Sequence, residues 1–293
     1  MDQQISLQDC CSRLLSVQNA DGGWGYQGGS SWAEPTAYAL LAVGRQPDAL
    51  EAASRARKWL LRNQRPDGGF APRPSVAEST WVTALTVLAE IGRDADERRA
   101  VEWLLGQTNQ DSRFVYRFRQ WMLGIQALAA NSSPGWSWYP GTAGWVVPTS
   151  LTILALGKVE RRYPGGRVRE RIEQGQRFLL NRRCEDGGWN HGSSRALGFQ
   201  SVSYPETTGI ALLALAGTDG SRLKNSIAKA EEHLRNCRSP EGSSWLRLGL
   251  LAQGRPALQA SPEMPAHSVM DSALSILADQ ARLGRNVFLG DTR

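Results

Sequence analysis

One phrase occurs three times in this chain, and each copy ends in two glycines followed by an aromatic residue. The copies span residues 18–24, 64–70 and 183–189. Each follows an amphipathic run and precedes an apolar run that is rich in small residues. A phrase that recurs with a period of about 45–50 residues predicts an array of two-helix repeats. This array constrains the fold more than any other feature of the sequence.

Two kinds of helix alternate around the phrase. Residues 52–63 carry charges on one side and Ala, Trp and Leu on the other, which is typical of a surface helix. The runs that begin at Thr36, Thr149 and Thr208 are apolar nearly all round, so we expect them to be buried. The pattern predicts about twelve helices, near residues 7–18, 36–45, 50–63, 79–92, 96–107, 116–130, 148–158, 168–182, 207–217, 221–236, 244–253 and 268–283.

The repeat also bears on domain organisation. A length of 293 residues suggests about two domains, but a continuous repeat predicts one domain over residues 1–293.

No apolar run reaches the ~18–20 residues of a membrane span, and the N-terminus lacks the features of a signal peptide. We therefore expect a cytoplasmic protein whose four cysteines, which form no C-x-x-C pair, are reduced.

The chain is basic, with a net charge of +6 and a pI of about 9.4. Lys and Arg are densest in residues 158–171. This density indicates either a solvated face or an anionic partner such as a diphosphate or a membrane surface. We expect no nucleic-acid partner, because no stripe of alternating basic and aromatic residues lies on a recognisable binding module.

The first two copies read Q-x-x-x-G-x-W/F, which is the QW motif of terpene cyclases. The chain resembles the squalene–hopene cyclase and protein prenyltransferase repeat superfamily over most of residues 7–283. This resemblance implies an all-α fold, an α/α toroid with about six inner and six outer helices, and a packing role for the QW aromatic residues. Together with the alternation of helix types, it predicts an inner ring of residues 36–45, 80–90, 149–157, 208–216 and 272–280.

The resemblance also directs attention to the starts of the inner helices. Class II terpene cyclases carry a D-x-D-D quartet there, and its central acid protonates an alkene. This chain lacks the quartet, but Glu34, Glu78 and Glu206 each precede a Thr-led run. They are the candidate catalytic residues, and Glu206 is the first choice because the loop 190–205 could cover it. The competing hypothesis is that they cap the helices. A helix N-terminus would lower the pKa of such an acid, and only burial could raise it.

Other chemistry has weaker support. Protein prenyltransferases bind zinc through an Asp-x-Cys pair at this place, where the present chain has Thr instead of Cys, and Thr is a poor zinc ligand. His267 lies about two residues out of register with the third zinc ligand of that family. We therefore expect no metal and no cofactor.

Aromatic residues are concentrated before the inner helices. We predict that they bind substrate, because aromatic faces stabilise cations; they are Trp32, Trp81, Trp138, Trp145 and Tyr204. The leading hypothesis is a terpene cyclase-like or prenyltransferase-like protein that binds an isoprenoid or other elongated apolar substrate in a central cavity. The same residues are compatible with a non-catalytic scaffold that binds a protein or peptide, or with a carbohydrate-active toroid.

Overall fold

The computed structural model describes residues 7–92, 94–107, 134–192, 195–196, 199–255 and 266–291. This part of the chain contains eleven α-helices: α1 Leu7–Ser16, α2 Ala33–Val43, α3 Leu50–Leu61, α4 Val82–Leu88, α5 Asp94–Gly106, α6 Val146–Arg162, α7 Gly166–Asn181, α8 Pro205–Ala214, α9 Gly220–Asn236, α10 Pro240–Ala252 and α11 Val269–Arg282. Three two-stranded hairpins accompany them: β1 Trp24–Gly25 with β2 Ser31–Trp32, β3 Arg195–Ala196 with β4 Phe199–Gln200, and β5 Arg285–Asn286 with β6 Gly290–Asp291. The helix expected near 116–130 lies outside the described residues.

Six helices form a closed ring. In order around it, α2 packs on α4, α4 on α6, α6 on α8, α8 on α10, α10 on α11, and α11 on α2 again. In α4 every residue is buried, and in α2 all but one are. The all-α toroid predicted from the sequence is confirmed, and the five predicted inner runs fall on ring helices.

The amphipathic helices lie outside this ring. In α7 only four residues are buried, and α3 likewise buries one face. Helix α1 packs between α11 and α2, and α9 packs between α8 and α10. Among the described residues the outer layer has five helices, α1, α3, α5, α7 and α9, against six in the ring.

The Gly-Gly-aromatic phrase joins an outer helix to the next inner helix through buried hydrogen bonds. The Trp24 amide donates to the Thr36 hydroxyl at 2.8 Å, and the Trp24 indole donates to the Leu14 carbonyl of α1 at 2.8 Å. Trp189 makes the same two bonds, to Thr208 and to Leu179. The aromatic residue of the phrase therefore ties the two layers together, which is a packing role.

The polar residues of the phrase link successive units. The Gln18 amide donates to the Ala52 carbonyl at 2.9 Å, at the start of the next outer helix. Asp21 accepts hydrogen bonds from Gly23 and from the Trp59 indole of that helix. The residues that define the sequence repeat thus hold one unit against the next.

Two differences from the sequence prediction concern the repeat. Trp136 occupies the place of a fourth phrase aromatic, because its amide donates to Thr149 and its indole to Leu104 of α5. Residues 108–133 separate α5 from this turn, so the phrase could not be seen by spacing. In the second unit the aromatic residue of the phrase is Phe70. Its backbone amide donates a hydrogen bond to the hydroxyl of Thr83 rather than to that of Thr80.

Helices α8 and α10 approach each other at backbone distance. A Cβ atom on Gly209 would lie 2.3 Å from the Trp245 backbone carbon, and one on Gly249 would lie 2.3 Å from the Gly209 oxygen. Only glycine fits at such a crossing. This close approach brings the N-termini of α8 and α10 together, and Gly242 lies beside Pro205 there.

The C-terminal hairpin enters the ring from the end opposite these N-termini. Strand β5 packs on α11, the Phe288 carbonyl accepts a hydrogen bond from Arg161 at the end of α6, and the Phe288 ring contacts Trp245 of α10. Helices α6 and α10 are not neighbours in the ring. A residue that contacts both of them therefore lies inside it, and Phe288 is fully buried.

Candidate functional site

The first inner helix begins beneath a short hairpin that carries a tyrosine. Strands β1 and β2 pair Trp24 with Trp32, and the turn between them holds Tyr26 above the first turn of α2. There the Tyr26 hydroxyl donates a hydrogen bond to the carboxylate of Glu34. The rings of Tyr26 and Trp32 lie 5.9 Å apart beside this pair.

Burial determines the protonation of Glu34. Desolvation raises the pKa of its carboxyl group from 4.5 to about 7, and the charge of Glu241 acts in the same direction. The hydrogen bond from Tyr26 opposes both effects, because it favours the carboxylate. Glu34 is therefore substantially protonated near neutral pH, although it lies in the first turn of a helix, where the dipole favours the anion.

Glu241 is a second carboxyl group of this site, half-buried, and it is not among the residues predicted from the sequence. It lies in the first turn of α10, which begins at Pro240, four residues earlier than predicted. Burial raises the pKa of Glu241, and the charges of Glu206 and Asp271 raise it further. A signal for this start was present, because Ser239 caps the helix through the Gly242 amide and proline follows the cap.

Glu206 lies at the same register in α8. Its Oε1 atom is 3.7 Å from Nε2 of His191, and the ring of His191 lies 5.3 Å from that of Tyr204. The Glu206 side chain is 31% exposed. The described part of the loop 190–205 therefore leaves the Glu206 side chain partly open to solvent. Glu34 is the candidate acid whose pKa is raised by desolvation.

Glu78 lies apart from these groups. In its unit the aromatic residue of the repeated phrase donates its amide hydrogen bond to Thr83, which is five residues beyond Glu78. In the units of Glu34 and Glu206 the threonine that accepts this bond follows the glutamate by only two residues. The register that aligned the three glutamates was therefore wrong for Glu78 by three residues. Its side chain is exposed on the loop before α4.

The capping hypothesis does not hold for the two glutamates on inner helices. The N-caps of α2 and α8 are Trp32 and Tyr204, and neither provides a side-chain cap. Within the described chain, Glu34 accepts its hydrogen bond from Tyr26, and Glu206 pairs with His191. Neither carboxylate accepts a backbone amide there, so both side chains are bound by other side chains and not by the helix ends.

The predicted substrate-binding aromatics fall into separate groups around the mouth. Trp32 packs beside Tyr26, and the Arg73 guanidinium lies 4.6 Å from its ring centroid. Trp81 and Trp138 form a perpendicular pair with centroids 4.8 Å apart. Trp145 and Tyr204 are, like Trp81, the residues just before inner helices, and Trp145 packs on Gly192.

The loops that carry these aromatics are linked by backbone hydrogen bonds from one unit to the next. The Ala33 amide donates to Pro72, that of Trp81 to Trp138, and that of Val146 to His191, all at 2.8–3.2 Å. These bonds fix the loops around the opening of the ring.

Below the carboxyl groups the ring is filled by aromatic side chains. Tyr38 lies one turn below Glu34 on α2, and Trp245 lies one turn below Glu241 on α10. Their ring centroids are 5.9 Å apart, and Phe288 packs beneath Trp245 at 5.8 Å. The three side chains are 2%, 3% and 0% exposed. These aromatic side chains therefore close the ring one helical turn below its carboxyl groups.

The basic segment 158–171 is largely paired within the protein. Lys158 lies 3.1 Å from Glu90, Arg167 lies 2.7 Å from Glu102, and Arg162 pairs with Glu97. Arg171 is buried against Trp136 and donates to backbone carbonyls. These contacts agree with a structural role for the segment, while Arg73 places a positive charge beside the mouth.

The part of the chain that the structure describes has neither a metal-binding cluster nor a membrane-spanning helix. No three His, Cys, Asp or Glu side chains in this part of the chain are grouped so that they could hold a metal ion. In the same residues, no helix is long and apolar enough to cross a membrane.

Comparison with known proteins gives partial sequence matches, and solved structures that share the fold over nearly the whole chain. No family model matches the sequence. The drimenyl diphosphate synthase of Streptomyces showdoensis is 27% identical over 179 residues, which are 60% of this chain and 30% of that protein. That of Streptantibioticus cattleyicolor is 48% identical over 66 residues, 22% of this chain and 12% of that protein. The matched regions span less than a third of either relative.

Solved structures with the same fold include enzymes of two kinds. The type II terpene cyclase MstE from Scytonema superposes with a TM-score of 0.56 at 15% identity, over 96% of this chain and 80% of that one. A variant of it has been solved with its substrate, geranylgeranyl dihydroxybenzoate. A GH76 α-mannanase from Bacteroides thetaiotaomicron gives a TM-score of 0.64 at 11% identity, over 94% and 95% of the two chains. At these identities the likeness establishes the toroid fold alone.

Proposed function

We propose that this chain carries the acid site of a terpene cyclase-like protein, which binds an isoprenoid at the mouth of the ring and protonates it through Glu34. The observation that carries the proposal is the burial of Glu34, which raises its pKa to about 7 at the position where the superfamily places its acid. The partial matches to drimenyl diphosphate synthases and the fold shared with MstE support it. Because the chain spans a fraction of those synthases, the activity of the whole relative is part of the proposal.

The proposed reaction begins with the transfer of the Glu34 proton to a carbon–carbon double bond. Burial holds that proton in place near neutral pH, which is the state a general acid needs before reaction. The double bond supplies the electron pair of the new C–H bond, and a carbocation and the Glu34 carboxylate remain. Attack by a second double bond closes a ring and moves the cation along the chain.

The second carboxyl group completes the cycle. A carboxylate at Glu241 accepts a proton from the carbon next to the cation, so that the C–H electrons form a new double bond. The proton then returns from Glu241 to Glu34, directly or through solvent. No redox cofactor is needed, because the reaction involves no net oxidation or reduction. Glu206 and Asp271 contribute negative charge at the same rim.

Aromatic and basic side chains supply the rest of the proposed site. The rings of Tyr26 and Trp32 lie beside Glu34 and offer faces that stabilise a cation by about 0.5–2 kcal/mol each. Arg73, over the Trp32 ring, offers a positive charge for an anionic group such as a diphosphate. Trp81, Trp138, Trp145 and Tyr204 extend the aromatic lining around the opening.

Incubation with farnesyl diphosphate, geranylgeranyl diphosphate and squalene, followed by mass spectrometry of the products, tests this function. Loss of a general acid costs about 10²–10⁴-fold in rate, so Glu34→Gln should reduce turnover by at least a hundredfold. Glu206→Gln should retain more activity, because that side chain is partly exposed. Glu173→Gln, on the outer helix α7, is the matched control and should leave turnover unchanged. Full activity of Glu34→Gln would contradict the proposal.

A carbohydrate-active toroid is the second candidate. It is favoured by the two carboxyl groups of Glu34 and Glu241 at an open mouth beside Trp32, together with the fold shared with a mannanase. Oligosaccharides in the same incubations distinguish the two, because hydrolysis without conversion of any isoprenoid would favour this candidate. Binding of a peptide without any turnover would favour a scaffold.

A further inference from the structure

Tyr26 and Glu34 occupy matched places in the repeat. Tyr26 follows the phrase aromatic Trp24 by two residues, and Glu34 comes two residues before the threonine that accepts the Trp24 amide. His191 and Glu206 hold the same two places around the third copy of the phrase, and their side chains also approach each other, at 3.7 Å. The repeat therefore brings these two places together at the mouth of the ring, and in the first unit it joins a hydroxyl group to the candidate acid.

The hairpin turn that carries Tyr26 has a fixed backbone. Gln27 has a φ of 47°, and Gly28 follows with a φ of 79°. Residues other than glycine adopt this left-handed conformation rarely, and they keep it where the surrounding structure determines it. The Gly29 amide donates to the Tyr26 carbonyl at 2.9 Å, and a Cβ atom on Gly25 would lie 2.1 Å from the Gly29 oxygen. The close contacts of this turn therefore hold the Tyr26 side chain at one place above α2.

The Tyr26 hydroxyl is a permanent hydrogen-bond donor to one oxygen of Glu34. Burial raises the pKa of Tyr26, and the charge of Glu34 raises it further, so the hydroxyl stays protonated. It donates to the Oε2 atom of Glu34. A neutral carboxylic acid carries its proton on one oxygen, while the other oxygen only accepts hydrogen bonds. A donor at Oε2 makes that atom the accepting oxygen, so the proton of Glu34 lies on Oε1.

The same hydrogen bond becomes stronger when Glu34 gives up its proton. A hydrogen bond to an ionised acceptor is roughly twice as strong as one between neutral groups. Proton transfer leaves Glu34 as a carboxylate, so the bond from Tyr26 contributes more during transfer than before it. Interactions of this kind, which are stronger in the transition state than in the ground state, accelerate a chemical step.

We propose that Tyr26 is the positioning residue of the acid, which holds the transferable proton on Oε1 of Glu34 and stabilises the carboxylate that the transfer leaves. This inference rests on the proposed function of Glu34 and adds a second residue to it. The substrate double bond receives the proton from Oε1, and the electron pair of the broken O–H bond stays on the Glu34 carboxylate. Tyr26 itself neither gains nor loses a proton.

The variant Tyr26→Phe tests the assignment, because it keeps the aromatic ring and removes only the hydroxyl group. Turnover of an isoprenoid substrate should fall by about ten- to a hundredfold, the range that corresponds to one hydrogen bond to a charged group. Loss of the donor also raises the pKa of Glu34 further above its value of about 7. The pH at which turnover declines should therefore move upward by about one unit. Tyr163→Phe is the matched control, because Tyr163 is exposed at the C-terminal end of α6, and it should change neither quantity.

A second measurement does not depend on turnover. Carbon-13 NMR of the full chain, labelled at its glutamate carboxyl groups, follows the titration of Glu34, and Glu34→Gln identifies its resonance. Tyr26→Phe should shift this titration to higher pH, which a merely structural role would not do. An unchanged titration would overturn the positioning role of Tyr26, and so would a shifted titration with full turnover.

The two measurements also separate this inference from the proposed function. Loss of turnover in Glu34→Gln together with an unchanged Glu34 titration in Tyr26→Phe would remove Tyr26 and leave Glu34 as the acid. A folded wild-type chain that converts none of the isoprenoids would overturn the proposed function, and the role of Tyr26 in proton transfer with it, even where the titration shifts.

Discussion

Replacing Glu34 with glutamine should make the protein more stable at alkaline pH. Glutamine has the shape of the glutamic acid side chain and can still accept the hydrogen bond from Tyr26. Its effect on stability therefore differs from that of glutamic acid only at pH values at which Glu34 is ionised. The pKa of Glu34 is raised from 4.5 to about 7 in the folded state, so ionisation is harder in the folded chain than in the unfolded one.

The sign of the effect follows from proton binding. Between about pH 4.5 and pH 7 the folded chain holds more protons at Glu34 than the unfolded chain, so the free energy of unfolding falls as the pH rises. Each tenfold difference in proton affinity corresponds to about 1.4 kcal/mol. The penalty therefore reaches about 3 kcal/mol above pH 7 and vanishes below pH 4.5. Glu34→Gln removes it.

Urea unfolding at pH 5 and pH 8 measures this difference. The variant should exceed the wild type by less than about 1 kcal/mol at pH 5 and by about 3 kcal/mol at pH 8. Glu78→Gln is the control, because its exposed side chain makes the substitution nearly neutral at both pH values. Equal stability of Glu34→Gln and the wild type at pH 8, or a loss of stability, would refute the burial argument.

Two further predictions concern the fold. Thr208→Val should lower the free energy of urea unfolding by about 1–3 kcal/mol, because it leaves the buried Trp189 amide without its acceptor. Thr152→Val should lower it less, because the Thr152 hydroxyl only donates to a helix carbonyl. Equal losses of stability would argue against the role of Thr208 in joining the two layers. Gly209→Ala should cost about 3 kcal/mol or prevent folding, because its Cβ would lie 2.3 Å from backbone. Gly157→Ala in α6 should stabilise by about 0.5–1 kcal/mol, because the nearest atom to its Cβ would be the Arg161 guanidinium at an ordinary contact distance of 3.7 Å. A neutral Gly209→Ala would contradict the close crossing.

The sequence was sufficient for the ring because the repeat encodes contacts that recur. Trp24 and Thr36 form one turn of the array, and the same residue types form the others. The sequence predicts a helix near 244–253, whereas the helix begins at Pro240, after the Ser239 cap. Glu241 lies in the four residues before the predicted start.

The properties of the site depend on contacts that no local pattern encodes. The pKa of Glu34 is set by burial, by Tyr26 from a hairpin turn and by Glu241 from a helix about 200 residues away in sequence. Reasoning from the helix dipole alone gives the opposite direction. Likewise, Phe288 of the C-terminal hairpin reaches Trp245 inside the ring through tertiary packing.

The central claim is that a proton from the protein starts the reaction at the mouth of the ring, and reaction in heavy water tests it most directly. In D2O the exchangeable proton of Glu34 is replaced by deuterium before it is transferred. Mass spectrometry of the product formed from geranylgeranyl or farnesyl diphosphate should then show one deuterium bound to carbon per molecule, and Glu34→Gln should form no such product. A cyclised product without deuterium would contradict acid initiation, and a deuterated product made equally well by Glu34→Gln would contradict the assignment to Glu34.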